Sequence, residues 1–223
     1  SYNSKRKGII MELNLSKLKA LGIDAAGDEA KLYRGKVRDI LDLGSILFIF
    51  TTDRISAFDR VLATIPLKGE ILNQISLFWF NHTKDIIDNH IIKEVTARSV
   101  LVKKCSILPI EVVVRGYLTG SAWREYQKGN LLSGIQLAPG MKRNEKFPLP
   151  LITPTTKAEQ GVHDEPISRE EILAQGIVPQ NIWEQVEKTA LALFQRGSEI
   201  AAKQGLILVD TKYEFGMAEG KLY

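Results

Sequence analysis

Short apolar runs dominate the first part of the chain and predict that it is rich in β-strands. Residues 31–53, KLYRGKVRDILDLGSILFIFTTD, hold two such runs on either side of Asp42-Leu43-Gly44, which predicts a hairpin with glycine in its turn. Residues 70–91 instead repeat apolar residues at helical spacing. These residues are Ile71, Ile75, Phe78 and Ile86. Residues 94–105 predict one or two further extended segments.

The second part of the chain alternates strand and helix patterns. Residues 108–129, LPIEVVVRGYLTGSAWREYQKG, predict a strand, a turn that contains glycine, and then a helix. Residues 148–168 are rich in proline and threonine and predict a long ordered loop, which is often a functional feature. Ser168 and Glu171 form a capping-box pattern that opens a short helix.

The last third of the sequence carries the strongest helical pattern. Residues 181–205 predict a long helix with Ile182, Val186 and Leu193 on one face and Gly205 as its stop. The following run, LILVD, predicts a strand that is buried on both faces. Together these patterns predict an α+β protein with a β-rich lobe at residues 1–104 and a larger α+β lobe at residues 105–223. Ligands often bind between two such lobes.

Composition narrows the functional classes. The chain has 223 residues and a net charge of +4, but it lacks the interleaved basic and aromatic residues of a nucleic-acid footprint. Cys105 is the only cysteine, so a reducing compartment is expected. Because no apolar run is long enough for a membrane span and no signal-like segment opens the sequence, we expect a cytoplasmic protein. The three histidines, His82, His90 and His163, lack metal-ligand spacing, which argues against a zinc site.

The segment LVDTKYEFG, residues 208–216, holds the densest candidate chemistry. On a strand, Asp210, Lys212 and Glu214 share one face. The two carboxylates are hard oxygen ligands suited to Mg²⁺, and the lysine between them can reach a phosphate oxygen. The alternative is an ion-pair network at a solvated strand end. The apolar run before the segment favours ligand chemistry, because α/β sheets bind ligands at the carboxyl ends of buried strands.

Two further segments predict anion binding. In YRGKVRD, Gly35 permits close backbone approach, and Lys36 and Arg38 are expected on the same side of a strand, where they would meet a polyphosphate. The segment lacks a Walker A pattern, and an exposed basic strand is the alternative. In VVVRGYLTGSAW, Arg115 ends a strand and a helix begins a few residues later. The free amides of a helix start, together with an arginine, predict a phosphate site. The residues at this helix start are Thr119, Gly120 and Ser121. Ser121 as a simple N-cap is the alternative.

Two loops add weaker candidates. TTDRISAFD contains Asp53, Ser56 and Asp59, and TKAEQGVHD contains Lys157, His163 and Asp164. The alternative for either set is turn chemistry alone.

Taken together, these segments resemble the phosphoribosylaminoimidazole-succinocarboxamide synthase (SAICAR synthase) family. LPIEVVVRGYLTGS and LVDTKYEFG are the two most diagnostic segments. LYRGKVRDIL, TTDRISAFD, PLKGEILNQIS and TKAEQGVHDEPIS also fit the family, in the same order, so the resemblance runs from about Lys31 to Gly216. It implies a β-rich ATP lobe, loosely similar to that of a protein kinase, and a larger α+β lobe.

The resemblance also implies an activity of purine biosynthesis. A member of this family joins L-aspartate to the carboxylate of carboxyaminoimidazole ribonucleotide (CAIR) at the expense of ATP and gives SAICAR, ADP and phosphate. The expected partners are therefore small molecules and no nucleic acid or membrane, and a homo-oligomer is left open. The expected cofactors are ATP and Mg²⁺.

The resemblance assigns roles residue by residue. Gly35, Lys36, Arg38 and Lys212 would hold ATP. Lys103 to Ile107 would form the hinge that meets adenine through backbone groups, with Lys103 and Lys104 as its ATP-binding residues. Glu214, supported by Asp210, would bind Mg²⁺ and, with Lys212, form the catalytic set. Substrate would meet the remaining candidates, which are Arg115, Thr119, Gly120, Ser121, Asp53, Ser56, Lys157 and Asp164.

One departure from the family lies at the end of the sequence. In the family, the chain continues after EFG to an acidic segment and a serine-arginine pair, whereas this sequence ends at MAEGKLY. A molecule that truly ends there is expected to bind ATP and Mg²⁺ weakly and to turn over little. The competing functions are a small-molecule kinase, although the sequence has no HRD-type loop or glycine-rich cover, and a non-catalytic nucleotide- or RNA-binding module.

Overall fold

The computed structural model describes residues 31–58, 60–157 and 164–223. The chain divides into two compact units. Among the described residues, the first unit takes those from 31 to 78 together with His90–Lys104, and the second takes Trp79–Asn89 and those from 105 to 223. Across the described residues, no helix combines the length and the apolar character needed to cross a bilayer.

The first unit contains a five-stranded antiparallel sheet with the order β1-β2-β3-β7-β6. Its strands are β1 (Lys31–Arg34), β2 (Arg38–Asp42), β3 (Ile46–Thr51), β6 (Ile91–Thr96) and β7 (Ser99–Lys103). A two-stranded hairpin formed by β4 (Arg54–Ala57) and β5 (Arg60–Thr64) precedes helix α1 (Lys68–Thr83).

The predicted hairpin around Asp42 and Gly44 is confirmed. Strands β2 and β3 pair in antiparallel register, and Gly44 takes a φ of +91°, a conformation that glycine adopts without steric cost. The carboxylate of Asp42 accepts a hydrogen bond from the Gly44 amide at 3.0 Å. Phe48 and Leu101 are buried in the small core of this sheet.

Helix α1 confirms the predicted helical segment, but its apolar stripe is not buried. Ile71, Ile75 and Phe78 are 55%, 48% and 43% exposed, whereas Gly69 and Asn73 are the buried positions. Helical periodicity identifies which side chains share a face, and it carries no information about what packs against that face.

The second unit contains a four-stranded antiparallel sheet with the order β11-β10-β8-β9. Its strands are β8 (Ser106–Tyr117), β9 (Lys146–Thr156), β10 (Asp210–Ala218) and β11 (Lys221–Leu222). Its helices are α2 (Gly120–Gln127), α3 (Arg169–Ala174) and α4 (Gln180–Ala202). The α+β class with antiparallel sheets is therefore confirmed.

The main core lies between one face of this sheet and helix α4. Val112 and Val114 of β8 pack in one buried cluster with Trp183, Val186 and Phe194 of α4. Burial of each apolar side chain of this kind contributes about 1.5–3 kcal/mol to the free energy of folding, so the residues on this face of β8 serve mainly to stabilise the fold. The predicted long helix is confirmed, and so is the capping box between Ser168 and Glu171.

The predicted long loop at residues 148–168 is wrong over its first part. Residues up to Thr156 form strand β9, which pairs with β8 and lies at the edge of the sheet. Proline is tolerated in an edge strand, because an edge residue can lack an N–H on its outward side. The proline content therefore indicated an edge strand here.

The predicted strand LILVD is also wrong. Leu206 and Ile207 are 64% and 69% exposed and lie outside any strand, and β10 begins only at Asp210. The charged triplet thus opens an antiparallel strand and does not follow the carboxyl end of a buried parallel strand. The analogy with ligand sites of parallel α/β sheets is wrong for this segment.

Candidate functional site

The second unit presents a charged face on the side of its sheet opposite helix α4. In the β8–β10 register, Asp210 lies opposite Arg115, and Glu214 lies opposite Glu111. Side chains alternate along β10, and Asp210, Lys212 and Glu214 are the exposed positions, which confirms that they share one face. We call this set, Asp210, Lys212, Glu214, Glu111, Arg115 and the neighbouring Lys157, the charged face.

Arg115 organises one end of the charged face. Its guanidinium donates hydrogen bonds to the hydroxyl oxygens of Thr153, at 2.9 Å, and Ser121, at 3.2 Å, and it lies 3.6 Å from the carboxylate of Asp210. Burial lowers the pKa of Arg115 and the charge of Asp210 partly offsets this effect, so the guanidinium keeps its charge at neutral pH. The remaining exposed edge of such a fork suits a carboxylate or a phosphate.

Helix α2 begins beside this arginine, as the sequence predicts. Its N-cap is Thr119, whose hydroxyl donates to the side chain of Asn144 at 2.8 Å and makes no capping bond. Gly120 follows with a φ of +58°. Ser121 therefore is not the N-cap, and its hydroxyl is turned toward Arg115. The interpretation of Ser121 as a simple cap is wrong, and a phosphate site at this helix start stays a prediction.

Lys212 is held by a glutamate that the sequence analysis did not single out. The Lys212 ammonium donates to Glu111 at 2.5 Å, and Glu111 is only 6% exposed. Burial alone would lower the lysine pKa. The hydrogen bond and charge of Glu111, with smaller contributions from Asp164 and Glu214, outweigh burial and raise the pKa of Lys212. The missed signal was the single carboxylate in the apolar run IEVVV. Glu111 lies four residues before Arg115, so on a strand the two side chains share one face.

Lys157 closes the other end of the charged face. Its ammonium lies 2.7 Å from the carboxylate of Glu214. The three cations of the face thus each pair with one carboxylate, so the six groups have no net charge. The predicted neighbour Asp164 acts electrostatically on Lys212, whereas His163 lies outside the described residues.

The two predicted Mg²⁺ ligands do not converge on one point. Residues four apart on a strand have Cα atoms separated by about 13 Å, whereas two carboxylate oxygens on one Mg²⁺ lie within about 4 Å. Asp210 also pairs with Arg115, and Glu214 pairs with Lys157. Among the residues that the structure describes, no group of three acidic, histidine or cysteine side chains is suited to hold a metal. A site in which both carboxylates bind one ion therefore does not fit, whereas a single carboxylate, which the resemblance takes to be Glu214, can share an ion with substrate phosphates.

The predicted basic segment of the first unit forms a tight turn. The Gly35 amide donates to the carbonyl of Arg38 at 2.8 Å, and a Cβ at Gly35 would lie 2.8 Å from that oxygen. Lys36 lies in the bend between β1 and β2, so the expectation that it shares a strand face with Arg38 is wrong. Both cations are exposed.

Arg54 braces this turn and was also missed by the sequence analysis. Its guanidinium donates to the carbonyls of Gly35, at 2.9 Å, and Lys36, at 3.1 Å, and pairs with the buried Asp39 at 2.6 Å. One side chain thus fixes the backbone that presents Lys36. The signal was available, since Arg54 lies inside the segment TTDRISAFD.

Asp53 fastens the start of helix α1. Its carboxylate accepts a hydrogen bond from the Gly69 amide at 2.9 Å and lies 3.4 Å from Arg98. The bond from Gly69 is the main reason that the pKa of Asp53 is lowered; burial opposes it and Arg98 adds to it. Ser56 lies in β4 opposite Val61, and Asp59 lies outside the described residues. The substrate roles of Asp53 and Ser56 stay predictions.

Lys103 ends strand β7 and Lys104 follows it, and both backbone amides already donate hydrogen bonds inside the first unit. The Lys103 amide donates to His90 and the Lys104 amide to Ser45, at 2.7 and 3.0 Å. The Lys104 ammonium pairs with Asp42 at 2.7 Å. Adenine contacts from these two amides would require these bonds to break, and the adenine role of this segment stays a prediction.

Comparisons with known proteins agree on one family. The family model described as SAICAR synthetase matches residues 31–223. A phosphoribosylaminoimidazole-succinocarboxamide synthase from Legionella pneumophila (strain Lens) is 50% identical over 198 residues, which cover 86% of this chain and 63% of the relative. A protein of the same name from Thermodesulfovibrio yellowstonii is 44% identical over 232 residues, covering 97% and 75%. The chain thus spans 63% of the length of the first of these relatives.

Solved structures give the same result for the fold. The structure of SAICAR-synthase from Saccharomyces cerevisiae complexed with SAICAR has a TM-score of 0.77 and 34% identity, and the match covers 86% of this chain and 71% of that one. A SAICAR synthetase (Type-2) in complex with ADP has a TM-score of 0.72 and 25% identity, covering 86% and 78%.

Proposed function

The chain belongs to the SAICAR synthetase family, and on this premise we propose that it is an ATP-dependent ligase of purine biosynthesis. The proposed reaction joins the amine of L-aspartate to the carboxylate of CAIR and gives SAICAR, ADP and phosphate. Relatives that carry the synthase name, and family structures with SAICAR and ADP, support this proposal.

The charged face is the observation that supports the proposal most directly. It places three cations, Arg115, Lys157 and Lys212, along one face of the sheet, each paired with a carboxylate. Both the nucleotide and the ribonucleotide are polyanions, and fixed cations near transferring phosphoryl groups stabilise the charge that develops there. Charges set on a sheet are also positioned more accurately than charges set on loops.

The chemistry explains why such a face is needed. A carboxylate is a poor acyl donor, because an oxide would have to leave. In the proposed reaction, a carboxylate oxygen of CAIR takes the γ-phosphoryl group of ATP and ADP leaves. The aspartate amine then attacks the acyl carbon, loses a proton, and displaces phosphate. Phosphoryl transfer depends on positioning and charge neutralisation more than on covalent help from the protein.

We assign the ribonucleotide to the Arg115 end of the charged face. Arg115 and Ser121 already point toward each other at the start of α2, and Thr119 and Gly120 supply the helix terminus beside them. The positive end of a helix and an arginine fork together suit a phosphate monoester. Lys157 and Asp164 would contact substrate at the other end.

For the nucleotide phosphates we keep two assignments, each within its own unit: Lys212 in the second unit, and the Gly35–Arg38 turn in the first. Arg54 keeps that turn rigid, so Lys36 is presented on a fixed backbone. Mg²⁺, when bound, would neutralise phosphate charge, and Glu214 is the residue that would hold it. Asp210 would act through Arg115, which it already contacts. The kinase-like two-lobed arrangement, a cytoplasmic location and a homo-oligomer stay predictions.

Substrate omission tests the proposal. ADP release from the purified protein is measured with ATP, CAIR and aspartate together, and then with each one left out in turn. We expect release only when all three are present, because aspartate is needed to complete the reaction and free the enzyme. Steady ADP release without aspartate would instead identify a kinase.

A further inference from the structure

Glu111 is a buried carboxylate that the proposed reaction does not use. It lies in β8 at 6% exposure, directly opposite Glu214 in the β8–β10 register. Like charges directly opposite each other on neighbouring strands are destabilising, and a buried carboxylate is costly unless it is paired. The adjacent residues of β8, Ile110 and Val112, are apolar, and an apolar side chain at position 111 would avoid both costs. The fold alone therefore does not explain this glutamate.

The contact that Glu111 makes indicates its role. One carboxylate oxygen accepts the hydrogen bond from Lys212 at 2.5 Å. An ammonium has three donors, and the Lys212 side chain is 50% exposed, so the group tethered to Glu111 can still meet an anion from the open side of the face. A lysine stem is flexible, and a fixed partner at its end restricts where the charge can lie.

We propose that Glu111 is a positioning residue, which holds the Lys212 ammonium at one place on the charged face where the anionic ligand meets it. This inference rests on the ligase function proposed above, because it takes Lys212 to contact the nucleotide phosphates. The alternative is that Glu111 only neutralises Lys212 for stability, in which case its loss changes folding and leaves the chemistry unaltered.

A double-mutant cycle separates positioning from stability. The variants are Glu111→Gln, Lys212→Met and the double variant. Glu187→Gln is the matched control, because Glu187 also pairs with a cation, Arg169 at 3.2 Å, but on helix α4 away from the charged face. For each protein we would measure kcat, KM for aspartate, the dissociation constant of ADP, and the melting temperature.

Positioning predicts effects that do not add. Lys212→Met is expected to lower kcat about 100-fold. Glu111→Gln is expected to lower kcat about 10-fold, with KM for aspartate within about twofold of the wild type. The double variant should equal Lys212→Met within about twofold, because Glu111 acts only through the lysine. The control should keep the wild-type kcat.

Two results with Glu111→Gln overturn the inference: an unchanged kcat, and a double variant in which the two losses multiply. If Glu111→Gln is unfolded at the assay temperature, Glu111→Asp, which keeps the charge and shortens the side chain, takes its place. A fully active Glu111→Asp overturns positioning, and a folded Glu111→Asp with a lowered kcat supports it. If the wild type lacks aspartate-dependent turnover, the ligase proposal fails. The inference about Glu111 is then tested by comparing the dissociation constant of ADP, in place of kcat, among the same variants. If the wild type does not bind ADP, both fail.

Discussion

Replacing Asp53 by asparagine tests whether this residue serves stability. Its carboxylate accepts the Gly69 amide at 2.9 Å at the start of α1 and lies 3.4 Å from Arg98. Asparagine keeps an acceptor and a similar shape but loses the charge. A charge-assisted hydrogen bond is roughly twice as strong as a neutral one, so this loss costs about 1 kcal/mol. The partly exposed ion pair with Arg98 adds about 0.2–1 kcal/mol. We expect a total loss of about 1–2 kcal/mol in the free energy of unfolding at pH 7.

The pH dependence of that loss follows from the lowered pKa of Asp53. A carboxyl with a lowered pKa in the folded protein contributes stability above its unfolded value, which is near pH 4. That contribution disappears as pH falls through the lower folded pKa. The difference between wild type and Asp53→Asn should therefore be constant from about pH 5 to 7 and should shrink below about pH 4.

Urea unfolding at a series of pH values measures this difference. Asp88→Asn is a suitable control, because Asp88 is 54% exposed and its ion pair with Lys221 lies in the other unit. It should change the free energy of unfolding by less than about 0.5 kcal/mol. A loss for Asp53→Asn that is absent, or that stays the same down to pH 3, would refute the structural role.

Three further substitutions test other parts of the structure. Gly69→Ala should destabilise the protein by about 2–3 kcal/mol in urea unfolding, because its Cβ would lie 2.3 Å from the carbonyl oxygen of Thr51; an unchanged midpoint would contradict this geometry. Arg115→Lys should lower kcat/KM for CAIR about 10–100-fold, because lysine cannot reproduce the fork that meets Ser121 and Thr153; an effect on ATP alone would place the ribonucleotide elsewhere. Glu214→Gln should raise the Mg²⁺ concentration for half-maximal rate about 10–100-fold, and an unchanged Mg²⁺ titration would remove Glu214 as the ligand.

Local patterns in the sequence predicted the elements whose causes are local. The Asp42–Gly44 hairpin, the Ser168–Glu171 capping box and the long helix α4 each depend on residues close in the chain, and all three are confirmed. The shared face of Asp210, Lys212 and Glu214 follows from strand alternation alone.

Other features depend on pairings between distant segments. Strand β9 forms despite its prolines because it pairs with β8 at a sheet edge, which no local pattern reveals. Glu111 meets Lys212 from 101 residues away, and Arg54 meets the Gly35 turn from 19 residues away. A single sequence without these pairings shows only an isolated acid in an apolar run and one arginine in a loop.

The most direct test of the central claim follows an oxygen atom. CAIR labelled with ¹⁸O in its carboxylate is incubated with the protein, ATP and aspartate, and the released phosphate is examined by mass spectrometry. Activation of the carboxylate by phosphoryl transfer predicts that one labelled oxygen appears in the phosphate for each SAICAR formed. Phosphate without label, alongside normal SAICAR formation, would contradict the proposed activation.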